Sequence, residues 1–352
     1  MENLFTKLLM EWHKSQNCRE MPWKGETNPY KIWLSEVILQ QTRVAQGTAY
    51  YNNFIKKYPT IHHLSKAKDQ EVFKLWEGLG YYNRCKNLLF TARKIVKERN
   101  GIFPNNYTDL LALKGIGPYT AAAIASFAFN LPYAVLDGNV FRVLSRYFGI
   151  SEPVDNAKGK SLFSELAGQM LAKKKSALFN QAIMDFGATI CKPFSPNCNS
   201  CPLQKNCMAF QKGMVNQLPV KEKTLLRKHR WFYYFVFEWD GKVLINHRTR
   251  RDIWQNLYEF YLLETDEQIK WDKTKVKNWL KDQLGIVKPE INQLSPLVWQ
   301  QLTHQQIKGQ FISVILNQKP TMFENYKWAP KKRLFKFPFP KFITNYLETG
   351  YL

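Results

Sequence analysis

Two carboxylates and four thiols stand out in this chain of 352 residues, because their neighbours could make each of them reactive. Glu36 lies in Tyr30-Lys31-Ile32-Trp33-Leu34-Ser35-Glu36-Val37-Ile38-Leu39-Gln40-Gln41-Thr42. At helical spacing it shares a face with Ile32, Trp33, Leu39 and Gln40. An acid in such company is either a misplaced surface residue or a desolvated carboxyl with a raised pKa, and the residue types leave both open. Asp137 closes the apolar run of Ala134-Val135-Leu136-Asp137-Gly138-Asn139-Val140 and precedes a helical pattern, FRVLSRYF. An N-cap is its ordinary role. The same place keeps a carboxylate ionised through the helix dipole and backbone donors, which suits it to steady a developing cation. Two carboxylates pushed apart in pKa form the pair by which glycosidic bonds are cleaved.

Cys191, Cys198, Cys201 and Cys207 are separated by six, two and five residues, with prolines between and no histidine nearby. Four thiolates so placed suit a closed metal site. Zinc sites usually show two CxxC pairs, and here only Cys198 and Cys201 form one. An iron–sulfur cluster accepts uneven spacing, so the pattern leans towards it and leaves zinc open. Cys18 and Cys85 lie elsewhere and are read as free thiols.

Between the two carboxylates runs Leu113-Lys114-Gly115-Ile116-Gly117-Pro118-Tyr119-Thr120-Ala121, a corner followed by a small-residue helix. Pro118 suits a first helical turn, where its missing N–H costs nothing. Gly115 and Gly117 admit unusual backbone angles and close approach of a ligand. Free N–H groups aimed outward there, beside Lys114, make a phosphate site; an isolated Gly-x-Gly is otherwise an ordinary corner.

The elements that must carry these residues divide into two textures. Residues 1 to about 212 read as helical, with apolar periodicity in 30–46, 70–79, 87–97, 108–113, 118–129, 140–148 and 161–171. A polar, basic stretch, 213–230, reads as a linker. From 231 to 352 come β-branched and aromatic runs, 231–239, 242–248, 257–263 and a later QFISVIL, with Asp240-Gly241 as a hairpin signal. The expected architecture is therefore a mainly α first domain and an α+β second one.

Composition narrows the partner. Lys and Arg number 51 against 28 Asp and Glu, a net charge of +23, and 45% of residues are apolar. So basic a folded chain favours a polyanion such as nucleic acid. No apolar run approaches the roughly 20 residues that span a bilayer, and the opening MENLFTKLLMEWHK reads as an amphipathic stretch and not a signal peptide. A cytoplasmic protein without a membrane partner is expected.

The ordered set LSEVILQQT, GLGYYNR, LKGIGPYTA, VLDGNV and C-x6-C-x2-C-x5-C resembles the helix-hairpin-helix DNA glycosylase superfamily, and most closely its MutY-type adenine DNA glycosylases. The likeness is dense from residue 20 to about 210 and continues more thinly to the C-terminus. It implies two helical subdomains around a cleft, a [4Fe–4S] cluster on the four cysteines, and a C-terminal Nudix-like domain. The implied partner is double-stranded DNA carrying adenine opposite 8-oxoguanine or guanine, bound by a monomer. Glu36 would protonate the flipped adenine, Asp137 would stabilise the oxocarbenium-like sugar, Asn139 would order Asp137, and Gln41 and Tyr81 would wedge into the base stack.

Relatives of the thymine-glycol type carry a lysine where Tyr119 stands; tyrosine cannot form a Schiff base, which implies excision without an efficient lyase step. Tyr119 is expected as a hydrogen-bonding partner of Asp137, and Lys114 as a phosphate contact. Trp254-Gln255-Asn256-Leu257-Tyr258-Glu259-Phe260 resembles a Nudix segment, yet no glutamate cluster for magnesium accompanies it. The family's lesion-reading Phe-Ser-His has its counterpart in Leu302-Thr303-His304, where threonine keeps the hydroxyl and leucine replaces the aromatic. Two rival readings are a thymine-glycol glycosylase/lyase of the endonuclease III type and a non-catalytic iron–sulfur DNA-binding module. Glu36, Tyr119 and the extra C-terminal domain argue against the first, and the pairing of Glu36 with Asp137 argues against the second.

Overall fold

The structure, a computed structural model, describes residues 3–222 and 227–350. By packing, the chain forms one unit from 1–66 and 86–223, and a second from 67–85 and 224–352.

Helices of the first unit are α1 (Leu4–Ser15), α2 (Pro29–Leu39), α3 (Val44–Lys57) and α4 (Ile61–Lys66). After α5 (Asp69–Leu75) in the second unit come α6 (Asn83–Arg99), α7 (Tyr107–Leu111), α8 (Pro118–Phe129), α9 (Gly138–Phe148), α10 (Ala157–Met170), α11 (Ser176–Thr189) and α12 (Met208–Gln211). Two of them are apolar nearly all round and therefore central. Asn28 caps α2, accepting from the Tyr30 and Lys31 N–H groups, and Pro29 occupies its first position. Ile32 to Ile38 are then buried without a break, Glu36 among them. In α8 the small run Thr120–Ser126 is equally buried and lets α2 pack closely against it. The amphipathic α9 and α11 cover this centre, with Trp12 edge-on to Phe186 at 4.9 Å fastening α1 to α11.

The periodicity over 30–46 predicts one helix, but the chain breaks at Gln40–Arg43, where Gln41 takes φ +57. The basic stretch is no free linker as far as it is described. Val220 accepts from the Val154 N–H, Leu218 from Arg146, and Glu222 donates its N–H to Asp155, all within the first unit. Residues 223–226 of that stretch lie outside the described residues. Segment 67–85, expected with the helical domain, packs with the second unit because Lys74 and Glu77 bond the Phe337 carbonyl and the Phe339 N–H.

In the second unit, strands β1 (Lys228–Trp239), β2 (Lys242–His247), β3 (Tyr258–Glu259), β4 (Tyr261–Thr265), β5 (Glu290–Leu294), β6 (Val298–Gln301), β7 (Gln305–Ile315) and β8 (Lys327–Pro330) form one sheet. Its path is β3-β2-β1-β7-β5, with β1 and β7 parallel. Asp240 and Gly241 both take positive φ and close the β1–β2 hairpin. Phe232 to Phe237 are fully buried because both faces are covered. Phe235 stacks on Trp279 of α13 (Lys273–Leu284) at 4.6 Å, while Phe311 stacks on Tyr346 of α14 (Lys341–Glu348) at 4.0 Å. Among the described residues no helix is long and apolar enough to cross a membrane.

Candidate active site

Packing α2 on α8 sets Glu36 beside Tyr119, and the Asn139 and Asp137 turn at the head of α9 faces the same space. A cavity of about 990 Å³ is lined by Glu36, Gln41, Tyr119, Asp137 and Asn139, each expected from the sequence. That volume accommodates a nucleoside-sized ligand. Glu36 is 5% exposed. Burial pushes its carboxyl up to about 7; the charge of Asp137 adds to the rise, and a hydrogen bond with Tyr119 opposes it. Tyr119 therefore bonds Glu36, not Asp137 as expected; Asp137 acts on it only through charge.

Asp137 is the N-cap of α9, and Oδ1 accepts from the Val140 N–H at 2.8 Å while Oδ2 accepts from Asn139 Nδ2 at 2.7 Å. Arg142 Nη2 in turn donates to Asn139 Oδ1 at 2.8 Å and to the Gly187 carbonyl at 2.6 Å. Asn180 of α11 fixes the loop before Asp137, accepting from the Val135 N–H and donating to the Tyr133 carbonyl. The two carboxyls are not pushed in opposite directions. Burial raises Asp137 too, against the N–H groups of Val140 and Asn139, the Asn139 amide and Arg142.

Residue types alone did not single out the far wall. Arg19 and Lys24 line the cavity and are held by Asp185, whose side chain is wholly buried, at 2.8 and 3.6 Å. Asn17 donates to the same carboxylate at 2.9 Å. An acid inside the apolar run NQAIMDFGAT carries the same signal that made Glu36 conspicuous.

At the corner, Gly115 takes φ +82, and a Cβ there would meet the Asn87 side chain at 2.7 Å. Gly117 differs, at φ −92 with nothing within 4 Å of a Cβ. The exposed Lys114 ammonium lies over the Phe90 ring at 4.6 Å.

Cys191, Cys198, Cys201 and Cys207 ring a small pocket. Burial, with the neighbouring thiols adding to it, raises Cys201 to about 12, and burial likewise raises Cys198 and Cys207. Four soft donors that repel one another as thiolates fit a cationic metal group. No set of three or more His, Cys, Asp or Glu among the described residues is gathered closely enough to hold a single ion. Arg146 braces the loop, donating to the Lys192 carbonyl at 2.7 Å and to Cys191 Sγ at 3.5 Å.

In the second unit, Thr303 and His304 occupy the three-residue turn between β6 and β7. The Thr303 hydroxyl is hydrogen-bonded to that of Tyr81. His304 is exposed, and its carbonyl accepts from the Lys228 N–H at 3.0 Å. Tyr81 takes φ +49, so both wedge candidates, Gln41 and Tyr81, hold a left-handed backbone that side chains rarely adopt.

Residues 34–167 match the HhH-GPD superfamily of base excision DNA repair proteins, and 233–349 match the NUDIX domain. The adenine DNA glycosylase of Buchnera aphidicola subsp. Schizaphis graminum is 36% identical over 280 residues, 79% of this chain and 78% of that one. That of Rattus norvegicus is 42% identical over 228 residues, 61% of this chain and 44% of its own. A thermostable thymine-DNA glycosylase superposes with a TM-score of 0.55 at 32% identity, covering 59% of this chain and 96% of that chain. An endonuclease III–DNA covalent intermediate shares the fold, with a TM-score of 0.52 at 24% identity. The acid-lined cavity, the two matched domains and the Buchnera relative aligned over 78% of its length agree: the chain is a DNA N-glycosylase of base excision repair and belongs to the adenine DNA glycosylase family.

Proposed function

We propose that this chain excises adenine opposite 8-oxoguanine or guanine from duplex DNA, acting as a monomer, with Glu36 as acid and Asp137 as electrostatic partner. The observation that carries the reading is the shared cavity of Glu36 and Asp137, one nearly solvent-free and the other held by converging donors. Adenine is a poor leaving group until a ring nitrogen is protonated, and the base must leave the stack before any side chain reaches it. Glu36, near neutrality in pKa, gives that proton. As the bond from C1′ to the base breaks, its electron pair stays with the purine and positive charge grows on the sugar. Asp137 meets that charge with a carboxyl whose oxygens are held by the Val140 N–H and the Asn139 amide. A water then adds at C1′ and releases a proton. Tyr119 offers no amine for a Schiff base, so the product is an abasic site without strand cleavage.

Gln41 and Tyr81, preset in left-handed backbone, wedge into the space left by extrusion. Lys114, Gly115 and Gly117 contact phosphate at the corner, and the Thr303–His304 turn reads the base opposite adenine. A [4Fe–4S] cluster held by Cys191, Cys198, Cys201 and Cys207 would crosslink the loop that Arg146 braces. Strand scission after alkali on duplex with adenine opposite 8-oxoguanine tests the reading in wild type, Glu36→Gln and Asp137→Asn. Comparable rates in all three would remove the mechanism; a strong borohydride-trapped crosslink in wild type would remove the single-function assignment.

A further inference from the structure

The buried guanidinium of Arg230 has no part in the chemistry above, yet its five donors are all occupied. It donates to Glu264 at 2.6 and 2.8 Å, to Asp252 at 2.9 and 2.8 Å, and to Gln305 Oε1 at 3.1 Å. Asp252 is shared with Arg248, which also pairs with Glu259. A fully used fork of this kind fixes direction as well as position. Its one neutral partner, Gln305, is the residue at which the Leu302–His304 turn closes. The Gln305 carbonyl accepts from the Leu302 N–H at 2.8 Å and from Gln301 Nε2 at 3.1 Å. Pairing of β1 with β7 runs unbroken from Lys228 opposite Gln305 to Glu238 opposite Ile315, so the strands stay together without the side-chain link. What that link adds is the orientation of the turn.

We propose that Arg230 is a positioning residue for specificity: through Gln305 it sets the turn carrying Thr303 and His304, and so sets discrimination between 8-oxoguanine and guanine opposite adenine. This rests on the reading of that turn as the element that senses the opposite base. The test is the ratio of single-turnover adenine excision opposite 8-oxoguanine to that opposite guanine, in full-length protein. Gln305→Met cuts the link and leaves Arg230 with its two carboxylates, so it serves even where Arg230→Met does not fold. Both variants should lower the ratio about tenfold, the scale of one hydrogen bond to a charged group, with the rate opposite guanine unchanged. Thr303→Val should lower it as well, and adding Gln305→Met to Thr303→Val should cost nothing further, because the two act in series. A ratio that falls in Thr303→Val but holds in Gln305→Met overturns the Arg230 assignment and leaves the turn's role standing. A ratio unmoved by Thr303→Val overturns the turn's role and this inference with it. Equal loss opposite both bases, or additive loss in the double variant, makes Arg230 merely structural.

Discussion

The hydroxyl of Tyr119 hydrogen-bonds the carboxyl of Glu36 and meets Asp137 only as a neighbouring charge. A hydroxyl donated to a carboxylate favours the ionised form, so this bond restrains the rise that burial imposes on Glu36. In the proposed mechanism Tyr119 would thus tune the acid, a role apart from its lack of an amine.

In the proposed mechanism the working form of Glu36 is protonated, so excision should fall as pH rises through about 7. Tyr119→Phe removes the restraint and should move that limb to higher pH by about one unit. Single-turnover rates across the neutral range check the shift; a limb moving to lower pH would show that Tyr119 acts otherwise.

Keeping Glu36 buried has a thermodynamic consequence. Its folded pKa, about 7, stands above the ordinary 4.5, so the folded state is penalised as pH rises from the lower value through the higher. The full penalty is about 3 kcal/mol. Glu36→Gln should therefore melt higher than wild type at pH 8, with the gain shrinking towards pH 4, while excision is lost. Calorimetric scans at both pH values decide it.

Asp137 caps α9 as well as facing the cavity. Asparagine caps a helix as well as aspartate does, but its amide would face the Asn139 amide, so Asp137→Asn should lower the melting temperature only by the effect of one lost hydrogen bond, about 1 kcal/mol. Excision should drop by about a thousandfold, far beyond that small loss of stability, because the charge is removed. Parallel loss of stability and rate would mean that the cap, not the charge, matters.

The two glycines of the corner should behave differently. Gly115→Ala meets both a positive φ and Asn87, and should destabilise the fold by at least about 1 kcal/mol. Gly117→Ala meets neither, so the free protein should be as stable as wild type. Duplex affinity should still weaken, because the added methyl occupies the approach to the N–H groups of α8. Denaturation curves and salt-dependent binding separate the two outcomes.

Replacing Cys198 with serine removes one of four thiols around the loop pocket. The yellow-brown colour expected of the proposed iron–sulfur cluster should be lost, and limited proteolysis should open the segment between Cys191 and Cys207. Leu203 of this loop is buried in the same core as Trp12 and Phe186, so cleavage within the loop should come first and cleavage of the helices packed on that core should follow.

Much of this molecule was legible in residue order. The two textures of the chain, the α8 boundaries at Pro118 and Phe129, the Asp137 cap and the Asp240-Gly241 hairpin are local matters, decided by propensity, capping and φ within a few residues. Glu36 showed itself by standing on an apolar face. Tertiary structure alone settled which way its pKa moves, because desolvation depends on what α8 and α9 place over it. The partner of Tyr119, the hold of Asp185 on Arg19 and Lys24, and the bond between Tyr81 and Thr303 join residues 83 to 222 positions apart. No periodicity records such pairings; they follow from how buried surfaces of separate elements find one another, and they decide which charges face the cavity.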